Sequence, residues 1–267
     1  MFTTAQKKPD SLWVGSVRTD PGVRLRLFCF PYGGGGASVF RGWQEALPPD
    51  VDVCPIQLPG REGRIRESCF TDVRALVACM APEIVPFLDR SFAFFGHSMG
   101  ALISFELCRY LRAAYSIAPQ GLFVSAYPAP RVRDSENAWY DLPEPEFLER
   151  MKRLGGTPGE VLDHPELMQL MLPLLRADVE MVQTYVYSDA PLLSVPITAF
   201  AGLNDPEVPL SDVERWREET TSRFALHTIP GDHFFVHSER AVLLEQLASA
   251  LAALTAQISI KGTKDAK

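Results

Sequence analysis

The sequence predicts an α/β domain built on a mostly parallel sheet flanked by helices. Three observations carry that prediction. Short β-rich segments alternate with longer helical patterns, several of those segments are apolar at nearly every position, and one helical stretch interrupts the alternation. Strands that read apolar throughout are those buried on both faces, as in a parallel sheet. With 267 residues, 46% of them apolar and 22% charged, the chain can bury a core of that size, which excludes wholesale disorder.

Arg24–Phe30 (RLRLFCF) opens the strand series and Val51–Gln57 follows it. Thr71–Leu88 then repeats apolar residues at three- and four-residue spacings, the period of a helix. Ser91–Phe95 is the next strand, Met99–Tyr115 the next helix and Gly121–Ala126 the fourth strand. From Pro128 to Ser194 there is no good strand, but Glu144–Leu154 and Glu166–Tyr187 are helical in period. An insertion there lies over the sheet edge where α/β proteins bind ligands, so it reads as a lid, with Gly155–Gly159 as hinges. Pro196–Ala201 and Phe224–Ile229 complete the strands, with helices at Ser211–Thr221 and Ser238–Leu254. A single domain is expected over 18–256, with the lid at 128–194 and flexible, polar termini at 1–17 and 257–267.

Lysine and arginine total 26 against 33 aspartates and glutamates, a net charge of −7. Without a basic run there is no means of displacing counterions from nucleic acid. No uninterrupted apolar run of 18 residues occurs, so no membrane span is expected, and the last helix lacks the lysine-rich face of a membrane-surface helix. The N-terminus carries no secretory pattern. Five cysteines without C-x-x-C spacing point to reduced thiols in a cytoplasmic protein, against a disulfide framework or a zinc site.

The strongest chemical signal is Gly96-His97-Ser98-Met99-Gly100. Alone it is weak, since about one chain of this length in ten has Gly-x-Ser-x-Gly by chance. Here it joins a strand (SFAFF) to a helix (ALISFELCRY), the setting of a nucleophile elbow. The alternative is a glycine-flanked helix cap. A serine hydroxyl needs a base, and in this arrangement an acid and then a histidine follow it along the chain, each beyond a strand. Of five histidines, His97 sits on the elbow, His164 in the insertion, His227 inside a strand and His237 at the start of the last helix. His233, in GDHFF, lies four residues past the last strand and is the expected base. A His233/His237 metal pair would need glutamate where Phe234 stands. Asp205, in the turn after Pro196–Ala201, is the expected acid; its other reading is an Asx turn before Pro206.

An oxyanion requires two converging backbone donors. The amide of Met99 is one, and the amide of Gly33, in the run Gly33–Gly36 after the first strand, is the other. The same run lacks the lysine of a phosphate loop and the acidic residue of a dinucleotide site.

Together, FPYGGGGAS, Leu58-Pro59-Gly60-Arg61, Gly96–Gly100, PLLRAD from Pro173, Gly202–Asp205 and GDHFF resemble the type II thioesterases, stand-alone α/β-hydrolases that accompany modular polyketide and nonribosomal peptide synthetases. The medium-chain hydrolase of animal fatty acid synthesis is a close relative of that family. The resemblance runs from about Arg24 to Leu254 and departs at Gly33, where the family more often has alanine. It implies an α/β-hydrolase fold with a helical lid. It also implies Ser98, Asp205 and His233 as triad, Gly33 and Met99 as oxyanion hole, and no cofactor. The implied substrate is an acyl group on the phosphopantetheine arm of a carrier protein, cleared when stalled or misloaded or released as product. Nothing in the triad itself excludes an oxygen ester, so an esterase or lipase is the rival reading; a silent binding module fits an intact triad poorly. Arg61, Arg64 and Arg66 form a small basic group suited to an acidic carrier domain, with a solvated loop as the plainer reading. Arg176 and Asp178 read as a structural pair within the lid helix, and a monomer suffices for the site.

Overall fold

The computed structural model describes residues 11–264 except 16, 133–137 and 156–163. Strand β1 (Leu25–Phe30) is buried at every position. Its side chains alternate between two cores, with Phe28 and Phe30 in one and Leu25, Leu27 and Cys29 in the other. That period of two, apolar on both sides, makes this a central strand. Each such Phe or Leu contributes roughly 1.5–3 kcal/mol by leaving water.

The other strands are β2 (Val51–Pro55), β3 (Phe92–His97), β4 (Leu122–Ser125), β5 (Ile197–Gly202) and β6 (Phe224–Ile229). All pair in parallel in the order β2-β1-β3-β4-β5-β6. The expected sheet is therefore present, with strand ends displaced by one or two residues. β3 runs on to His97 because the elbow must begin where the strand leaves the sheet. Since β2 and β3 leave β1 on opposite sides, the loops after β1 and β3 meet at a topological switch point.

Helices α1 (Val73–Ile84) and α2 (Met99–Tyr115) cover one face. The expected helix over 211–221 is a short α-turn, α5 (Leu210–Glu214), followed by a 3-10 turn, Arg215–Glu219. After α6 (Phe235–Ser238), α7 (Arg240–Lys264) covers the second face through Leu243, Leu247 and Leu251, and the tail expected from 257 begins as helix. By length and composition Arg240–Ile258 could cross a membrane. Its leucine stripe is instead buried on the sheet, as in a core helix.

The N-terminal segment also departs from expectation. Trp13 and Val14 are buried, Val14 bridges Ile56 in antiparallel fashion, and the Gln57 amide donates to the Trp13 carbonyl at 2.9 Å. This segment covers the edge of β2, which would otherwise present unpaired backbone groups; residues 1–10 lie outside the described part.

Between β4 and β5 stand the two expected insertion helices, α3 (Glu144–Leu154) and α4 (Pro165–Gln183). Phe147, Met151, Met168 and Leu175 form their own small core. Met181 and Tyr185 join the main core, where the Tyr185 hydroxyl donates to Glu106 on α2 at 2.7 Å. The insertion is thus fastened at its C-terminal end. Gly155 ends α3 with φ +76°, a left-handed cap open to glycine at little cost; the rest of the expected hinge, 156–159, lies outside the described residues.

Candidate active site

Each glycine of the elbow has a steric reason. A Cβ on Gly96 would lie 2.1 Å from the Gly100 carbonyl oxygen, and one on Gly100 would lie 2.1 Å from that of Phe30. Ser98 itself has φ +52° and ψ −120°, a strained conformation costing about 1–3 kcal/mol that lifts its side chain off the helix it begins. The surrounding elements hold it there, since the Ser98 amide donates to the Ser125 carbonyl at 2.7 Å.

The structure brings the three expected side chains together from three strand ends. His233 Nε2 lies 2.9 Å from Ser98 Oγ, and His233 Nδ1 lies 2.8 Å from Asp205 Oδ2. Asp205 answers to both sequence readings at once. Its Oδ1 accepts from the amides of Glu207 (2.9 Å) and Val208 (3.1 Å), an Asx-type turn, while Oδ2 faces the imidazole. The Asp205 side chain is 1% exposed, so its orientation is fixed on both oxygens.

His97, beside the nucleophile on the elbow, has a structural task. It is fully buried, with Nε2 2.9 Å from the carbonyl oxygen of His233 and Nδ1 2.9 Å from Ser125 Oγ. A carbonyl only accepts, so Nε2 carries the proton and Nδ1 accepts from the serine hydroxyl. Burial, followed by the neighbouring His233, holds the His97 imidazole well below the usual histidine range, so it stays neutral. The elbow thereby grips the backbone of the loop that carries the base. Its only sequence signal was a histidine between glycine and serine, which fits many roles. His237 Nε2 meets the Tyr32 hydroxyl at 2.7 Å.

Ser98 and His233 line a cavity of about 460 Å³, with Gly33 and Met99 beside them. The insertion adds a largely apolar wall of Trp139, Met151, Leu154, Leu175, Val179 and Val182, and Arg150, Glu207 and Asp212 add charge to the lining. Among the described residues no cluster suited to a metal ion occurs.

Two expectations about charge are corrected. Arg61 and Arg64 do not form an exposed basic patch, because they are 4% and 8% exposed and only Arg66 faces solvent. Arg64 pairs with Glu67 and lies over Trp13. Arg176 does not pair with Asp178, since residues two apart on a helix point away from each other. Arg176 donates to the Tyr140 carbonyl and lies over Phe147, while Asp178 binds Arg61.

A thioesterase-domain model matches residues 25–255. The chain is 42% identical over 244 residues to linear gramicidin dehydrogenase LgrE of Brevibacillus parabrevis, covering 90% of this chain and 93% of that one. That relative is named a dehydrogenase, yet here the glycine run leads into one 3-10 turn, Ala37–Phe40, not the helix of a dinucleotide loop. Among solved structures, the RedJ thioesterase of the prodiginine pathway of Streptomyces coelicolor is 38% identical (TM-score 0.80), covering 85% of this chain and 90% of that one. The type II thioesterase BorB of the borrelidin cluster is 33% identical (TM-score 0.82), covering 91% of this chain and 99% of that one. With a serine elbow, a histidine and a buried carboxylate in one hydrogen-bonded row, the chain belongs to the thioesterase family, in its type II group, and is a hydrolase of thioesters.

Proposed function

We propose that this thioesterase removes acyl groups from the phosphopantetheine arm of carrier proteins in a polyketide or nonribosomal peptide synthetase, through an acyl-Ser98 intermediate. The observation that carries the chemistry is the Ser98–His233–Asp205 row opening into a cavity walled by apolar side chains of the insertion. The biosynthetic setting rests on the relatives.

His233 Nε2 takes the Ser98 proton as Oγ attacks the thioester carbonyl. Asp205 holds the Nδ1–H tautomer and stabilises the imidazolium. The carbonyl oxygen, now negative, faces the amides of Gly33 and Met99. The tetrahedral adduct collapses, the C–S bond breaks, and His233 returns its proton to the sulfur. A thiol of pKa about 8.5 is a good leaving group. Water then attacks the acyl ester, its proton passing to His233, and the second adduct expels Ser98 Oγ, which recovers that proton. The products are a carboxylic acid and a free thiol. The sequence calls on no cofactor, and it suits a cytoplasmic chain whose five cysteines are all free thiols.

Turnover of an acyl-pantetheine thioester and a matched p-nitrophenyl ester separates this reading from an oxygen esterase. The thioester, and more so the carrier-bound acyl group, should give the higher kcat/KM. A preference for the oxygen ester would move the chain to the esterase reading.

A further inference from the structure

The run Gly33–Gly36 is the most permissive backbone in the chain, yet the proposed chemistry needs one of its amides aimed to within tenths of an ångström. What fixes it comes from elsewhere. The Gly35 amide donates to the Tyr32 carbonyl at 3.0 Å, closing a tight turn in which Gly34 has φ +81°. The Gly34 amide donates to Asp178 Oδ2 at 2.7 Å, and Asp178 stands on the insertion helix α4. Arg61 completes the clamp. It binds both Asp178 oxygens at 2.8 Å, and it donates to the carbonyls of Gly35 (3.1 Å) and Pro59 (3.2 Å). Arg61 is 4% and Asp178 2% exposed, so this geometry is shielded from water. In a trans peptide the N–H points opposite to the carbonyl, so fixing the Tyr32 carbonyl fixes the Gly33 N–H.

We infer that Asp178 is a positioning residue for the oxyanion donor at Gly33, so that this half of the oxyanion hole is aligned only while helix α4 is seated against the glycine turn. The insertion is then part of the catalytic apparatus as well as a wall of the cavity. Asp178 touches no reacting atom; it acts through the turn. The inference rests on the proposed role of Gly33 and Ser98.

The prediction separates turnover from binding. In Asp178→Asn the charge-assisted fork is lost, and kcat should fall about 10- to 100-fold with KM within about threefold, since the donor matters only once the oxygen is negative. A trifluoromethyl ketone analogue of acyl-pantetheine, which forms an oxyanion on Ser98, should lose affinity by the same factor as kcat/KM. The unreactive amide analogue should bind as before. Should that variant fail to fold with Arg61 left unpaired, the double variant Arg61→Met/Asp178→Asn carries no lone buried charge and should show the same split. Ser98→Ala serves as the control. Activity retained in Ser98→Ala would overturn the proposed mechanism itself. An inactive Ser98→Ala beside a folded Asp178 variant whose kcat stays within threefold of wild type, or whose ketone and amide analogues weaken equally, would overturn the role of Asp178 alone.

Discussion

The two ends of the sheet each bury an arginine against an aspartate, and the two pairs are built differently. At the amino end of β1, Arg26 Nε is 3.5 Å from Asp52 Oδ2, both side chains 1% exposed, and Arg26 also reaches Asp89 and the Phe87 carbonyl. There Arg26 Nε and Asp52 Oδ1 have no hydrogen-bond partner. At the carboxyl end, Arg61 and Asp178 meet in a two-pronged fork at 2.8 Å, and each also holds the glycine turn, Asp178 at the Gly34 amide and Arg61 at the Gly35 carbonyl. The first pair fastens strands and loops with loose geometry. The second orients backbone, and its precision lies where chemistry needs it. Burial alone therefore does not mark a functional ion pair; satisfied geometry aimed at a flexible loop does.

Substitutions can break that contrast. The largest effect belongs to the carboxyl end: Asp205→Asn should lower kcat by about 10⁴ with little change in KM, because the wrong imidazole tautomer faces Ser98. His97→Phe follows. It leaves the His233 carbonyl and Ser125 Oγ without partners, and a displaced base should cost up to about 10²-fold in kcat, read by steady-state kinetics. Asp178→Asn comes next, with a stability loss of about 3–5 kcal/mol by denaturant titration because Arg61 is left charged and buried. Asp52→Asn is smallest, with kcat unchanged and stability altered by about 1 kcal/mol or less, since Arg26 keeps Asp89 and the Phe87 carbonyl as partners and the amide oxygen can still accept from the Arg18 amide. The pH profile sharpens this last case. Burial pushes the Asp52 carboxyl above the usual carboxylate range. Folding therefore favours its protonated form, and the resulting stability is present in acid and lost as pH rises through the folded pKa. Asp52→Asn should lack that slope; a kcat defect there would end the distinction between the two ends.

The sequence made the sheet legible because its strands are apolar on both faces, and it made the triad legible because the elbow and the chain order of acid and base are local patterns. It concealed what depends on long-range partners. The Arg61–Asp178 fork joins residues 117 apart in sequence, and reading Arg176 with Asp178 instead relied on proximity along a helix where i and i+2 diverge. Arg61 and Arg64 looked like a basic patch because charge is visible in a sequence and burial is not. Trp13 and Val14 were hidden in a polar terminus, although two adjacent large apolar residues before a strand edge were the available signal.

The proposed chemistry requires that Ser98 be the group that becomes acylated. Incubation with a fluorophosphonate followed by peptide mass mapping should place one label per chain on Ser98, with thioester hydrolysis falling in proportion to labelling and neither label nor turnover in Ser98→Ala. Label on a different residue, or full hydrolysis by fully labelled protein, would contradict it.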